Sequence, residues 1–449
     1  MSESRRNFIR KTTAASAGLA LGGILPSFSS KSYARIIGSN EKILVSVMGV
    51  NSRGKALATS FAQQENCEVV HICDVDNRAI ETCLGELAKH NTNYERKGFR
   101  DFRESLQSKD IDALVIAAPD HWHAPAALLA MQAGKNVYVE KPCSHNPNEG
   151  EILVQAASKY GKAIQMGNQR RSFPNVILGI QELKNGIIGR PYFGRGWYTN
   201  NRGSMGVGKE TPVPEWLNWD LWQGPAPRQP YRDNLVHYNW HWLWHWGTGE
   251  ALNNGTHMVD LLRWGLGVDY PVKVSSNGGR YRFKDDWETP DTQIITLDFK
   301  EGVTLSWEGR SCNGRSVDGS TAGAIFYGDK GSVLFPGGNN YRIFDLEGNV
   351  VKDVKAEQTT ENRNLSNPSE FLDFHHIRNF FDGIRNGSKV LNAYIDSGHK
   401  STLLVQLGNI AQRVGHSLET DPSNGHILKD RKAQQYWSRT YEKGWEMKI

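Results

Sequence analysis

The chain has 449 residues, of which 38% are apolar, and 45 glycines; at about 150 residues per domain this suggests roughly two or three globular domains. Enough apolar material is present to exclude a disordered chain, a collagen-like fibre and a disulfide mini-protein. The formal charge of +5 sits mostly at the start. Residues 1–34 carry Arg5, Arg6, Arg10, Lys11 and Lys31 against Glu3, a net +4, which leaves +1 for the remainder and implies no nucleic-acid partner.

The first element is read as a targeting signal. Ser4-Arg5-Arg6-Asn7-Phe8-Ile9-Arg10-Lys11 forms a twin-arginine pattern, an apolar run over 12–25 follows, and Ser32-Tyr33-Ala34 supplies a small-residue cleavage site. The run is shorter than the roughly 18–20 residues of a spanning helix. No cysteine stands near the cleavage region, so no lipid anchor is expected. The expectation is a periplasmic protein, exported folded, with residues 1–34 removed and no membrane anchor afterwards. The five cysteines (Cys67, Cys73, Cys83, Cys143, Cys312) are odd in number and contain no C-x-x-C pair, which fits neither a disulfide framework nor a zinc site.

From 41 to 167 strands and helices alternate. Strands are expected at 42–48, 68–74, 113–118, 136–140 and 163–166, and helices at 55–64, 79–90, 125–133 and 149–160. Continuous apolar strands between amphipathic helices predict a parallel sheet covered on both faces, an α/β doubly wound Rossmann domain. Beyond 167 the rhythm changes. A helix at 174–186 and a strand at 191–200 lead into a long loop rich in Gly, Pro and Trp that ends near 249. A helix follows at 250–264, then strands at 272–283, 292–300, 303–310, 322–328, 332–336 and 341–345, and helices at 368–385 and 394–414. Strands without intervening helices predict an α+β domain with a large, mostly antiparallel sheet over 168–415. Residues 416–449 form a C-terminal extension.

The first strand runs into Gly49-Val50-Asn51-Ser52-Arg53-Gly54 and then a helix. This is the dinucleotide fingerprint with Asn51 at the second glycine, where a tight turn aims helix N-terminal N–H groups at a pyrophosphate. The second strand ends in Asp74, placed to bind both ribose hydroxyls. No arginine directly follows it to receive a 2′-phosphate, and Arg78 is four residues on, so NAD is expected rather than NADP. Two further strands end in Ala118-Pro119-Asp120-His121-Trp122-His123 and Glu140-Lys141-Pro142. Carboxyl ends of parallel strands are where open α/β sheets bind ligands, and a lysine there can polarise an alkoxide or shuttle a proton.

Together these motifs resemble the Gfo/Idh/MocA oxidoreductases, over residues 41 to about 415. Gly328-Asp329-Lys330-Gly331 is also similar to a strand turn of that family. The family includes exported members, glucose–fructose oxidoreductase among them, and members similar to NAD-dependent glycosidases. The resemblance implies that Gly49, Asn51, Ser52, Arg53 and Gly54 surround the pyrophosphate and Asp74 holds the adenosine ribose. Pro119, His121 and His123 would lie along the nicotinamide, and Glu140, Lys141 and Gln169 would contact the nicotinamide half. Lys141 would be the central polar catalyst and Arg171 would reach substrate. His257 matches the family histidine that takes a hydroxyl proton. Asn253 stands four residues earlier, where an aspartate is usual. An amide cannot stabilise an imidazolium as a carboxylate does, so His257 is expected to be a weaker base.

Seven of the 14 tryptophans lie between Trp216 and Trp246, and His237, His241 and His245 recur at spacing four, as on one face of a helix. A metal site, a structural aromatic cluster and a sugar site each fit this pattern. No metal is expected, and Trp240 and His241 join Lys141, Arg171, Asn253 and His257 as candidate substrate contacts. The functional expectation is an NAD-dependent oxidoreductase acting on a sugar or glycoside by hydride transfer at a ring carbon. The alternative is a redox-neutral glycosidase or lyase working through a transient keto-sugar. A non-catalytic sugar or dinucleotide sensor is the competing class; export and the retention of Lys141 and His257 argue against it. Pairing through the antiparallel sheet, as a dimer or tetramer, is what the resemblance implies for assembly.

Overall fold

All six residues of β1 (Ile43–Met48) are buried, because a strand at the centre of a covered parallel sheet has no solvent face. The computed structural model describes residues 42–356 and 370–449; the twin-arginine segment lies outside them. The first sheet comprises β1, β2 (Cys67–Cys73), β3 (Lys97–Phe99), β4 (Ala113–Ile116), β5 (Asn136–Val139) and β6 (Ile164–Met166), in the order β3-β2-β1-β4-β5-β6. All of its pairings are parallel. The order reverses between β1 and β4, and a crevice opens there at the carboxyl ends of the strands. The helices are α1 (Arg53–Ala62), α2 (Asn77–Leu87), α3 (Phe102–Leu106), α4 (Asp120–Gln132) and α5 (Pro147–Tyr160). Short β3 and α3 were not anticipated, since an exposed three-residue strand carries almost no apolar pattern.

Helix α4 starts five residues before the expected point. Pro125 suggested a helix start there, but it lies inside the helix. Having no N–H, Pro125 cannot serve the carbonyl of His121, and Arg439 donates its Nη2 to that oxygen instead, at 2.7 Å.

After α6 (Pro174–Lys184) the second sheet begins with β7 (Pro191–Thr199). It continues through β8 (Lys273–Gly279), β9 (Thr292–Phe299), β10 (Val303–Arg310), β11 (Ala322–Gly328), β12 (Gly331–Phe335), β13 (Tyr341–Phe344), β14 (Val350–Val354) and β15 (Leu418–Glu419). The nine strands run β14-β13-β12-β11-β7-β10-β9-β8-β15, and only the β7–β10 pair is parallel. β10 shows why one face is covered: Val303, Leu305, Trp307 and Gly309 are buried and alternate with half-exposed Thr304, Ser306, Glu308 and Arg310. A short helix, α7 (Trp219–Gln223), lies in the long loop after β7, and the covered face packs α6, α8 (Thr256–Leu266) and α10 (Ile395–Val414) into one apolar core.

Helix α9 (Glu370–Asn386) returns to the first sheet. Its Phe380 and Phe381 meet Phe61 of α1 edge-on, with ring centroids 6.4 and 5.8 Å apart. The predicted start of this helix at 368 lies outside the described residues. Among the described residues no helix is long and apolar enough to cross a membrane, and all five cysteines are free thiols.

Candidate active site

The first turn after β1 is shaped by two glycines. Gly49 has φ +82°, and a Cβ on it would stand 2.5 Å from the backbone nitrogen of Ala118. A Cβ on Gly54 would stand 2.0 Å from the carbonyl oxygen of Gly49. Only glycine permits this approach of α1 to the strand end. Gly49, Asn51, Ser52 and Arg53 border a cavity of about 990 Å³, and Gly54 lies beneath the turn rather than in the lining.

Asp74 closes the same end. Its Oδ2 accepts from Val50 N at 2.7 Å and its Oδ1 from Asp76 N at 3.0 Å, so the carboxylate is fixed with lone pairs to spare for a ribose. Burial raises its pKa against the pull of those N–H groups. Arg78 grips Asp76 and lies 3.5 Å over the Trp216 ring, already engaged away from any 2′-phosphate. The turn, the helix start and this carboxylate fit the adenosine half of NAD.

The middle of the cavity carries Pro119, Asp120, His123, Glu140, Lys141 and Gln169. Glu140 is buried under a tight set of donors: Arg53 Nε at 2.9 Å, Gln169 Nε2 at 3.0 Å and its neighbour's Lys141 N at 3.2 Å. Burial would raise its pKa, but Arg53 and Lys141 outweigh this and hold it below the usual glutamate range. Arg53 spans two acids, its Nη1 and Nη2 each donating to Asp373 of α9 at 2.7 Å. His123 sets both ring nitrogens on carbonyls, Pro142 O at 2.5 Å and Ala118 O at 2.7 Å, of which a neutral imidazole can serve only one. Asp120 is buried and accepts from Thr248 Oγ1; burial raises its pKa.

At the far end Lys141 meets the segment that precedes α8. That segment was expected to be plain α-helix. Residues Ala251–Gly255 instead form a π turn, the local irregularity that often marks a functional site. Lys141 Nζ donates to the main-chain carbonyl of Asn253 at 2.5 Å and to its Oδ1 at 3.0 Å. Burial lowers the lysine pKa despite Glu140, Asp120 and Glu250 nearby. Asn253 Nδ2 in turn reaches Glu250 Oε1 at 3.3 Å, and Asn254 donates to the same oxygen. Buried Glu250 also takes Arg202 Nε at 2.6 Å and Ser311 Oγ at 2.8 Å. His257 borders the cavity with its Nδ1 buried and without a partner among the described residues. Burial, with Arg170, Lys141 and Arg53 adding to it, drives its pKa well below the ordinary range, so it stays neutral.

Trp240 and His241 lie in the lining as a stacked pair, centroids 3.6 Å apart and 19° between planes. The three histidines at spacing four do not share a helical face: only Asn239–Trp242 is helical, as a 3₁₀ turn. His237 Nε2 bonds Asp76 at 2.8 Å, His241 faces the cavity, and His245 Nε2 bonds Pro227 O at 2.8 Å. The surrounding tryptophans form a core of their own. Trp219 stacks on Trp222 at 4.8 Å and Trp242 on Trp287 at 4.0 Å. The long loop is thus an aromatic cluster with one edge on the cavity.

Two expected site residues are placed elsewhere. His121 is fully buried, its Nε2 on Trp222 O at 2.9 Å and its ring against Trp222, and it is absent from the lining. Arg171 is turned away into a buried ion pair with Asp260, at 2.8–3.1 Å. The neighbouring Arg170 lines the cavity instead. Both belong to the 3₁₀ turn Gln169–Ser172, in which successive residues point about 120° apart, so only one of two adjacent arginines can face the site. Arg170 Nε donates to Gly337 O at 3.2 Å, and burial, only partly offset by Asp260, pushes its pKa down to about 10. Arg202, Tyr198, Tyr238, Asn254 and Asp373 also line the cavity and were not anticipated.

The fold and this site define an NAD-binding Rossmann oxidoreductase whose second, sheet-bearing half closes over the nicotinamide end. Residues 43–168 match the Gfo/Idh/MocA oxidoreductase family, NAD-binding Rossmann fold, and residues 183–447 match that family's C-terminal alpha/beta domain. The chain belongs to the Gfo/Idh/MocA oxidoreductases. Among curated relatives, a glycosyl hydrolase family 109 protein of Saccharopolyspora erythraea is 28% identical over 254 residues, 51% of this chain and 55% of the relative. The chain spans about half the length of the curated relatives it matches. Among solved structures, a levoglucosan dehydrogenase in complex with NADH and levoglucosan aligns with TM-score 0.63 and 17% identity, over 84% of this chain and 99% of the other. A myo-inositol dehydrogenase from Lactobacillus casei in complex with NAD(H) and myo-inositol aligns with TM-score 0.62 and 18% identity, over 85% and 97%.

Proposed function

We propose that the protein oxidises a ring carbon of a carbohydrate or glycoside, with Lys141 and His257 as catalytic residues. The observation that carries this reading is the double hold of Asn253 on the Lys141 ammonium, in the cavity that begins at the glycine turn and also presents His257. Bound NAD supplies the acceptor for an electron pair and its hydrogen at the nicotinamide ring. Lys141 then lowers the cost of an alkoxide on the ring, and Arg170 adds a second positive charge to the same cavity. His257, neutral with a free Nδ1, receives the hydroxyl proton. The Trp240–His241 stack offers flat surface to the apolar face of a sugar ring, and Asn254, Tyr238 and Arg202 offer polar contacts to its hydroxyls.

A second reading has specific support. In it the oxidised carbon acidifies the adjacent C–H, a base takes that proton and the glycosidic group leaves as the protonated aglycone. Water adds across the double bond so formed (or, in a lyase, does not), and the hydride returns to the carbonyl carbon, so no NADH accumulates. The family 109 relatives bear the glycosyl hydrolase name, and Asn253 denies His257 the carboxylate that net alcohol oxidation favours. The test is incubation with free sugars and with glycosides, following NADH absorbance and aglycone release together. Lasting NADH on free sugars supports net oxidation. Aglycone release without lasting NADH supports the redox-neutral route. Neither signal on any sugar overturns both.

Export by the twin-arginine route is proposed on Arg5-Arg6, the apolar run over 12–25 and the Ser32-Tyr33-Ala34 site, in that order. Replacing both by lysine would leave the protein in the cytoplasmic fraction if the pair directs transport.

A further inference from the structure

A second cavity, of about 390 Å³, lies apart from the cofactor cradle, between the start of α5, helix α10 and the C-terminal segment. His145, Asn146, His245, Gln406, Arg413 and Arg439 line it, and among the described residues none of its lining is Asp or Glu. Its polar groups are incompletely satisfied by the protein. Both ring nitrogens of His145, Nδ2 of Asn146, Oε1 of Gln406 and Nη1 of Arg439 are buried with no partner among the described residues. Asn146 and Gln406 are only 5% and 3% exposed, so these atoms are costly to leave unmet.

The remaining atoms of the same side chains are spoken for. Gln406 Nε2 donates to Ser144 O and Oγ at 3.1 and 3.2 Å. Arg439 spends Nε on Glu149 at 2.8 Å and Nη2 on His121 O. Glu149 is itself covered by His145 N and Tyr441 Oη; its charge is met by the Arg439 guanidinium, and it does not line the cavity. At the rim the Arg413 guanidinium is held between Trp244 and Tyr436, 4.7 and 4.0 Å from their ring centroids. Among the described residues this cation makes no ion pair, Glu288 acting on it only from farther away. Donors outnumber acceptors, the exceptions being Gln406 Oε1 and one ring nitrogen of His145.

We propose that this cavity is a binding site for a small oxyanion, a carboxylate or phosphate that also bears a hydroxyl. Its oxygens would accept from Asn146 Nδ2, Arg439 Nη1, a ring N–H of His145 and Arg413, and its hydroxyl would donate to Gln406 Oε1. Two guanidiniums on one cavity, beside the neutral donors of Asn146 and His145, suit such a group better than a neutral sugar. The site is independent of the redox reading. Its walls include Trp244, His245 and Thr248, from the same loop whose Trp240 and His241 border the main cavity.

The test is equilibrium dialysis of the full chain saturated with NAD, which occupies the pyrophosphate cradle. Labelled inorganic phosphate and labelled malate are used in separate arms at constant ionic strength. One saturable site per chain is expected for at least one probe: phosphate alone assigns a phosphoryl ligand, malate alone a carboxylate, and both a general oxyanion site. Arg413→Gln, at the exposed rim, and His145→Leu should each weaken binding by about tenfold or more. In ¹⁵N-labelled protein the His145 ring signals should move on titration, which serves if His145→Leu does not fold. Absence of saturable binding of either probe, or binding unaffected by Arg413→Gln and without response at His145, overturns the proposal.

Discussion

Lys141 and Asn253 are joined twice, the ammonium donating at 2.5 Å to the main-chain carbonyl and at 3.0 Å to the side-chain oxygen of one residue. The amide is suited to this place because its other end faces a carboxylate, Nδ2 lying 3.3 Å from Glu250 Oε1. An aspartate would turn a second negative oxygen toward Glu250.

Asn253→Asp is therefore expected to act in two measurable ways. A carboxylate beside Nζ favours the charged lysine, so the alkaline limb of the kcat/KM profile should move to higher pH. Repulsion from Glu250 should lower Tm. An unmoved alkaline limb would show that Lys141 does not titrate in that limb.

Lys141→Met should reduce kcat by about 10²–10⁴-fold and leave NAD affinity near that of the parent. The ammonium is bound to the π turn, not to the glycine turn. Fluorescence titration with NADH and steady-state kinetics separate the two effects.

The neighbouring arginines should part company. Arg171→Leu strands the buried carboxylate of Asp260, and removing one partner of such a pair costs about 3–5 kcal/mol, visible as a large fall in urea midpoint. Burial tends to raise the Asp260 pKa, but Arg171 and its hydrogen bonds hold it below the usual range. This pair therefore stabilises above the unfolded aspartate pKa and is lost as pH falls through the folded one. Arg170→Leu should keep the midpoint and lose turnover, since its guanidinium borders the cavity and, among the described residues, makes no ion pair, Asp260 being taken by Arg171.

Acid should weaken the fold before the carboxylates titrate. Burial drives His121 and His257 well below the ordinary range and His376 and His399 down to about 4. Below about 6.5 the unfolded chain takes up protons that the folded chain refuses, so stability falls as pH drops from there toward 4. Equal urea midpoints at pH 7.5 and at pH 5.5 would contradict this.

Asp74→Ser should raise KM for NAD without making NADP a good substrate. Arg78 is committed to Asp76 and to the face of Trp216, and Arg100, which borders the cavity, gives its Nη2 to Val75 O at 3.1 Å. A gain in NADP activity would mean that one of these two arginines leaves its partners.

Much of this site was readable before any coordinates. The glycine turn, Asp74 and Glu140-Lys141 sit at strand ends whose positions follow from apolar periodicity, and His257 was indicated by the resemblance to the family. What periodicity could not supply was direction within irregular backbone. The 3₁₀ turn decides between Arg170 and Arg171, and no hydrophobic pattern reports it. The π turn at Ala251–Gly255 reads as ordinary helix in sequence, although it is where Lys141 finds its partner. His121 resembled His123 by spacing, but Trp222 and Arg439, distant in the chain, claimed it. Asp373, from α9, was invisible because nothing local links it to the first half of the molecule.

The bridge from Arg53 to Asp373 spans 320 positions. A chain emerging from the ribosome completes its glycine turn, its ribose carboxylate and Glu140 long before α9 exists. Until that helix docks, Arg53 lacks the bidentate anchor that holds it over Glu140. The last turn of order in the glycine cradle is thus supplied by the C-terminal third of the chain, which ties the carboxyl end of the Rossmann sheet to residues made long after it.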